Sequence, residues 1–384
     1  MRILFLFVGE KHHVFHALPI AGEMAARYPD LDIEIAIAGP ENDALVRDVL
    51  NCFPGFTPTI RYLDLPGPAD ALHKWGVLRG QQRITRLIAA LPYLRGFDAI
   101  VVPERTTTMI RHFLGSRTKL IFTPHGAGDR AITYDKRDRL FDFALVAGEK
   151  SERRMLELGT IRPGAYAVTG YVKMDFMQRL AAHRPPLFDN GRPTVLYAPH
   201  FRSSLSSWDR FGKAIIRAFA AQDRYNLVVA PHIRLFDHAP ARVTAPIEAM
   251  AVPGKIIVDL SSERLVDMTY TAGADIYLGD VSSQVYEFLN RPRPCVFLNA
   301  HDADWPDNPD YLFWTLGDVV SSVADVLPAI DAAAERHPLY AARQCQILSD
   351  SIGGDPTGAS ARSADAILHF LEEKAKAGRK AASR

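Results

Sequence analysis

Cysteine is scarce in this chain. Cys52, Cys295 and Cys345 are the whole complement in 384 residues, an odd number and widely spaced. No disulfide framework and no zinc-ligand pattern can be drawn from them, so they read as buried thiols in a reducing compartment. Charge of one sign is scarce as well. The formal net charge is +1, which gives no reason to invoke nucleic acid as a partner. There is no Walker-type glycine loop and no GxGxxG, which argues against ATP hydrolysis and nicotinamide chemistry. No apolar run approaches membrane-spanning length. The apolar stretch Ile3–Val8 is too short for the core of a signal peptide and no cleavage pattern follows, so it reads as a buried first strand.

What is present is ordinary globular material, 48% hydrophobic and 23% charged, in a chain too long for one core. Strand and helix patterns alternate throughout, which predicts an α/β fold with largely parallel sheets. Strands are expected at Arg2–Val8, Ile33–Ile37, Ala99–Val102, Lys119–Phe122 and Phe143–Ala147. Helical patterns cover Phe15–Tyr28, Glu41–Leu50, Arg79–Leu94 and Thr107–Leu114. The stretch His183–Pro193, with three prolines, a glycine and an Asp-Asn pair, reads as a linker. Alternation then restarts with strands Thr194–Ala198, Asn226–Ala230, Lys255–Val258, Asp275–Leu278 and Cys295–Leu298, and with helical patterns over Ser207–Ala221 and Glu263–Ala272. The expected domains are 1–182, linker 183–193, 194–357, and a C-terminal helix with a basic tail at 358–384. The tail reads as solvated, with weak peripheral contact at the inner membrane face as the lesser reading and a cytoplasmic protein as the expectation.

The most informative segment runs from Ala272 to Asn299. A short strand ends in Gly279-Asp280-Val281-Ser282-Ser283, a helical pattern follows over Gln284–Asn290, and Arg291-Pro292-Arg293-Pro294 stops it. Hydroxyls and free N–H groups at a helix start, beyond the carboxyl end of a strand, suit a phosphate. Asp280, Ser282 and Ser283 are therefore candidate ligand contacts, and Glu287, four residues past Ser283, is placed to reach a ribose hydroxyl. The same residues also serve as helix caps in most proteins.

Other strand ends carry chemistry-bearing side chains. His125 and Gly126 follow Lys119–Phe122. His125 is a candidate proton acceptor, and Gly126 lets backbone approach a ligand. Pro199-His200-Phe201-Arg202-Ser203 follows the first strand after the linker. Arg202 suits phosphate oxygens, and Ser203 is either a phosphate donor or a cap. His232 and Arg234 follow Asn226–Ala230, where an imidazolium or guanidinium would offset phosphate charge. His12, His13 and His16 cluster after the first strand without a carboxylate or cysteine in pattern, so no metal is expected there. Asp302, Asp304 and Asp307 form an acidic loop without the terminal glutamate of a calcium loop.

Taken in order, these motifs resemble the CDP-glycerol glycerophosphotransferase family, the teichoic-acid-polymerase type of GT-B transferase. The residues that carry the likeness are His125-Gly126, Gly170 to Asp175, Tyr197 to Arg202, His232, Asp280 to Phe288, and Gly358 to Arg362. The resemblance implies a GT-B fold with two Rossmann-like domains facing a cleft, a CDP-linked donor and a glycan or polyol acceptor. It implies His125 and His232 as catalytic residues, and Gly126, Arg202, Ser203, Asp280, Ser282, Ser283 and Glu287 as substrate contacts. No cofactor and no metal is implied. His200 stands where the family has threonine. A GT-B glycosyltransferase or epimerase using a UDP- or CMP-sugar is the alternative enzyme. A non-catalytic nucleotide-binding protein is the alternative of another class.

Overall fold

The computed structural model describes residues 1–39, 43–65, 67, 82–124, 135–181, 184–282 and 284–382. By contacts the chain divides into two units, Met1–Phe176 with Asp350–Arg384, and Met177–Ser349. The division falls within the helix Val172–Ala181, ahead of the expected linker.

The first unit is built on a seven-stranded sheet, all parallel, in the order β3-β2-β1-β4-β5-β6-β7. Its strands are β1 Arg2–Phe7, β2 Asp32–Ile37, β3 Thr59–Tyr62, β4 Ala99–Val102, β5 Lys119–Phe122, β6 Phe143–Val146 and β7 Tyr166–Val168. A parallel sheet has both faces covered, so its inner strands carry nearly unbroken apolar runs. Ile3 to Phe7 and Ala99 to Val102 are almost wholly buried. The edge strands β3 and β7 are mostly exposed or half-buried and carry no such run.

The segment 358–384, read from sequence as a separate helix and tail, packs with the first unit. The long helix Ala359–Ala382 buries Ala364, Ile367, Phe370 and Leu371, and Phe370 stacks on Phe143 with ring centroids 4.5 Å apart. Arg27 holds Asp365 in a two-pronged ion pair. Two motifs far apart in sequence meet here. The buried Asp175 carboxylate accepts the backbone N–H groups of Gly358 at 2.9 Å and Ser360 at 2.8 Å. The Arg362 Nε donates to the Thr169 carbonyl at 3.0 Å. Gly170, at φ +92, leaves room for Arg362, whose guanidinium would lie 2.8 Å from any Cβ there. The Gly170–Asp175 and Gly358–Arg362 stretches thus clasp the C-terminal helix to the sheet.

The second unit has a six-stranded parallel sheet in the order β10-β9-β8-β11-β12-β13. The strands are β8 Thr194–Ala198, β9 Asn226–Val229, β10 Ile256–Val258, β11 Ile276–Gly279, β12 Cys295–Leu298 and β13 Asp318–Val320. Helix Trp208–Ala220 covers one face through Phe211, Ile215, Ile216 and Phe219.

Three expectations need correction. Cys52, in the turn after the helix Asp43–Leu50, and Cys345, on the helix Pro338–Ile352, are exposed, and Cys295 is the buried thiol; periodicity does not tell which face of a helix packs. The expected helix Thr107–Leu114 is a tighter 3₁₀ helix over Thr106–Phe113. The expected helix Glu263–Ala272 is broken by Met268 in the left-handed region at φ 61, leaving Glu263–Leu265 and Thr269–Gly273. Among the described residues no helix is long and apolar enough to cross a membrane.

Candidate functional site

When a parallel sheet runs outward in both directions from one strand, ligands bind beyond the carboxyl ends of the two strands where the winding reverses. In the second unit those strands are β8 and β11. They are in register with Gly279 opposite Ala198. A Cβ on Gly279 would stand 2.7 Å from the Ala198 carbonyl oxygen, so only glycine allows the two strand ends to come this close.

Asp280 follows directly and has 0% exposure. Its Oδ2 accepts the backbone N–H groups of His200 and Ser207, both at 2.8 Å. Its Oδ1 has no hydrogen-bond partner among the described residues. Burial pushes this carboxyl up to about 7, partly offset by the two backbone donors. The Tyr197 hydroxyl lies 3.0 Å from Ser207 Oγ in the same buried layer. Asp280 therefore acts on the loop 200–207 from beneath, and its side chain faces backbone, with no open surface.

That loop presents a ring cluster. His200 and Phe201 stack with centroids 4.6 Å apart, and Phe201 and His232 lie 4.5 Å apart. The N–H of Arg202 donates to His200 Nδ1 at 3.0 Å, and the N–H of Arg234 donates to His232 Nδ1 at 3.2 Å. The backbone N–H of His232 donates to the Pro199 carbonyl at 3.0 Å, joining the β9 and β8 loops. Two guanidinium groups, Arg234 at 4.4 Å and Arg202 at 5.8 Å, approach the Phe201 ring. Both arginines are exposed and, among the described residues, neither is ion-paired. The strand ends of β8 and β9 thus offer two uncommitted cations beside an aromatic cluster.

His232 differs from the expected imidazolium. Burial, with the nearby Arg234 charge, pushes its pKa down to about 4. Its Nδ1 is occupied as an acceptor, so the neutral ring carries its proton on Nε2 and offers a hydrogen-bond donor. The unfolded chain takes up this proton near the ordinary histidine value and the native chain only near pH 4, so stability falls as pH drops through that window. We expect an NMR titration to show a neutral His232 ring down to about pH 5. A midpoint near 6.5, the unperturbed value, would overturn this.

The β11 loop is also altered. Ser282 is buried and its Oγ accepts the Gln284 N–H at 3.3 Å, so it caps the helix that follows. That helix spans only Gln284–Phe288, short of the expected Asn290. A helix of little more than one turn has a small axial field. Among the described residues, Arg202 and Arg234 beside the Phe201 ring bring positive charge to these strand ends. Glu287 is half-buried on this helix and Ser203 is exposed in the β8 loop. Ser283 lies outside the described residues, as do His125 and Gly126. Near that last pair, Thr123 Oγ1 donates to the His16 carbonyl at 3.0 Å.

The Arg-Pro stretch read as the stop of this helix holds a residue with a further role. Arg293, 5% exposed, turns its guanidinium inward. It donates to the carbonyls of Thr271 at 2.9 Å and Ala272 at 3.3 Å, to those of Ala274 and Phe288, and to Asn290 Oδ1 at 3.1 Å. The group lies 3.8 Å from the Phe288 ring centroid. It fastens the helices Thr269–Gly273 and Gln284–Phe288 together behind the site. An arginine between two prolines carries no sequence signal for this, because its acceptors come from a second helix.

No known family profile and no curated protein matches the chain. Solved structures do match it. The wall teichoic acid polymerase TagF is 13% identical, with 97% of this chain and 89% of that chain covered at a TM-score of 0.64. A putative UDP-N-acetylglucosamine 2-epimerase from Listeria monocytogenes is 14% identical, with 97% of each chain covered at 0.65. The UDP-GlcNAc 2-epimerase from Neisseria meningitidis, bound to UDP-GlcNAc, is 15% identical, with 96% and 100% covered at 0.63. At these identities the likeness is one of fold. The chain has the α/β fold with two parallel sheets of these GT-B-like proteins.

Proposed function

We propose that this protein is an enzyme that uses a nucleoside-diphosphate donor, held by the second unit at the carboxyl ends of β8 and β11. The observation that carries the reading is the pair of exposed guanidinium groups, Arg202 and Arg234, without an ion pair among the described residues and set with the neutral His232 at the strand ends where such a sheet binds ligands. Diphosphate oxygens satisfy both cations and accept from His232 Nε2. The finer reading is transfer of a glycerophosphate-type group from a CDP-linked donor to an acceptor hydroxyl. Its support is the motif order and the fold shared with TagF. In that reaction the acceptor oxygen attacks the β-phosphorus and CMP leaves; the protein mainly positions the donor and offsets charge on the phosphates of the reacting group and the departing CMP, while His125 takes the acceptor proton.

A second reading, chemistry on a UDP-sugar, is supported by the equal likeness to the epimerases, one of them bound to UDP-GlcNAc. Calorimetry with CDP, UDP, CMP and ADP separates the two by base preference, and turnover of CDP-glycerol against UDP-GlcNAc separates them by product. Tight binding without turnover of either would leave a nucleotide-binding protein. We expect Arg202→Ala to weaken diphosphate binding by roughly 10- to 100-fold, the worth of one charge-assisted hydrogen bond, with the fold intact because the side chain is exposed. Unchanged affinity would sink this placement of the donor.

A further inference from the structure

The loop 200–207 is met at both ends by a histidine from another strand. His232, after β9, joins its start. The His232 N–H donates to the Pro199 carbonyl, and its ring lies 5.8 Å from that of His200. His301, after β12, joins its end. The His301 Nε2 lies 3.0 Å from the Ser206 carbonyl oxygen. The Ser206 N–H donates in turn to the Arg202 carbonyl at 2.9 Å, so His301 is fastened to the turn that carries Arg202.

The backbone around His301 is held on both sides. The Asn299 side chain, 7% exposed, accepts the Ala303 N–H at 2.8 Å and donates to the Ala303 carbonyl at 3.0 Å. Arg210, on the helix Trp208–Ala220, donates to the Ala300 carbonyl at 2.8 Å and to Asp302 Oδ2 at 2.9 Å. His301 itself is exposed. A carbonyl oxygen only accepts, so the proton shared with Ser206 sits on His301 Nε2. The neutral ring then presents Nδ1 as an acceptor, and among the described residues that atom makes no hydrogen bond. An acceptor in this state has nothing to give a phosphate oxygen and matches the O–H of a ligand. His232 is its complement, with Nδ1 occupied and a proton to donate from Nε2. Along the sheet order β9, β8, β11, β12, a ring that donates to phosphate stands at one end and a ring that accepts from hydroxyl at the other.

We propose that His301 is a specificity-determining residue of the donor site. Its Nδ1 accepts from a hydroxyl on the group esterified to the second phosphate, so the site selects nucleoside diphosphates that carry a polyol or a sugar. The proposal rests on the placement of the donor at Arg202 and Arg234, and adds to it the class of group that the donor bears.

The test is calorimetry on the full chain at about pH 8, above the ordinary range of histidine titration. CDP, CDP-choline and CDP-glycerol form one series, and UDP with UDP-GlcNAc another. Choline has no hydroxyl beyond the second phosphate. His301→Ala should weaken CDP-glycerol or UDP-GlcNAc by roughly 3- to 10-fold, the worth of one hydrogen bond, and leave CDP, CDP-choline and UDP as in the parent. With isotope-labelled imidazoles in the parent, the same two esters should move the His301 Nδ1 signal, and CDP or UDP alone should not. An equal loss for a diphosphate and its ester would show that His301 only holds the loop, and would overturn the proposal. Unchanged affinity for both esters would overturn it as well. If neither CDP nor UDP binds the parent, the donor reading falls and this proposal with it. Binding of either without dependence on His301 removes this proposal alone.

Discussion

Arg293→Ala should cost the second unit about 3–5 kcal/mol of stability, the range for breaking a buried charged network. The guanidinium is the shared donor for carbonyl groups at the ends of two helices, Thr269–Gly273 and Gln284–Phe288. Truncation leaves those acceptors buried without a partner, at about 1–3 kcal/mol for each that water does not reach. It also opens a void beside the Phe288 ring. Arg293→Lys should recover little, because an ammonium is a point charge and cannot fork to carbonyls on both helices. Three of the four tryptophans, Trp208, Trp305 and Trp314, belong to the second unit, so their fluorescence during urea unfolding reports the change. A loss below about 1 kcal/mol would show that the network is redundant.

Replacing Asp280 should separate the effect of its charge from that of its hydrogen bonds. Asp280→Ala removes the acceptor for the N–H groups of His200 and Ser207 and should cost about 2–5 kcal/mol, because both donors are buried. The loop 200–207 then loses its anchor, and Arg202 with it, so diphosphate binding should fall alongside stability. Asp280→Asn keeps the accepting oxygen and should retain most of both. Its distinguishing effect is on pH dependence. The native carboxyl holds its proton up to about pH 7, while the unfolded one loses it near 4. Native chains bind more protons than unfolded ones within that window, so stability falls as pH rises through it, by at most about 4 kcal/mol. His232 acts in the opposite sense below about pH 6.5 in both proteins, so between pH 4 and 7 the change of stability with rising pH should be more negative in the parent than in Asp280→Asn, as read by thermal unfolding. Equal slopes would mean that Asp280 titrates normally.

The inner strands were legible because burial on both faces demands continuous apolar residues. Ile3 to Phe7, Ala99 to Val102 and Thr194–Ala198 announce themselves in this way. The edge strands β3 and β13 were not, since the exposed Thr59, Arg61 and Tyr62 and the half-buried Asp318 break any such run. The short helix after Ser282 was legible at its start, where the cap is local, and misread at its end, where Arg293 takes up the Phe288 carbonyl.

Among the candidate site residues, position was legible and role was not. His200, Arg202, His232 and Asp280 were read at strand ends, and that is where they stand. The register of β8 on β11 and the link from His232 to Pro199 bring these loops together. That Asp280 serves the loop from below, and that His232 is neutral, depend on burial by residues distant in the chain. The carboxylate beside His12 was in the sequence as Glu10, but only the turn after β1 shows that it faces the ring.

The sequence by itself determined the α/β class, the parallel inner strands and the strand-end positions of the polar residues, because these follow from local periodicity and turn chemistry. Only the tertiary structure decided which unit the C-terminal helix joins, which carbonyls Arg293 binds, and which polar groups are charged. Those outcomes depend on partners far away in the chain, Asp175 for Ser360, Arg293 for Thr271 and Asp280 for His200, and on the burial that these pairings create.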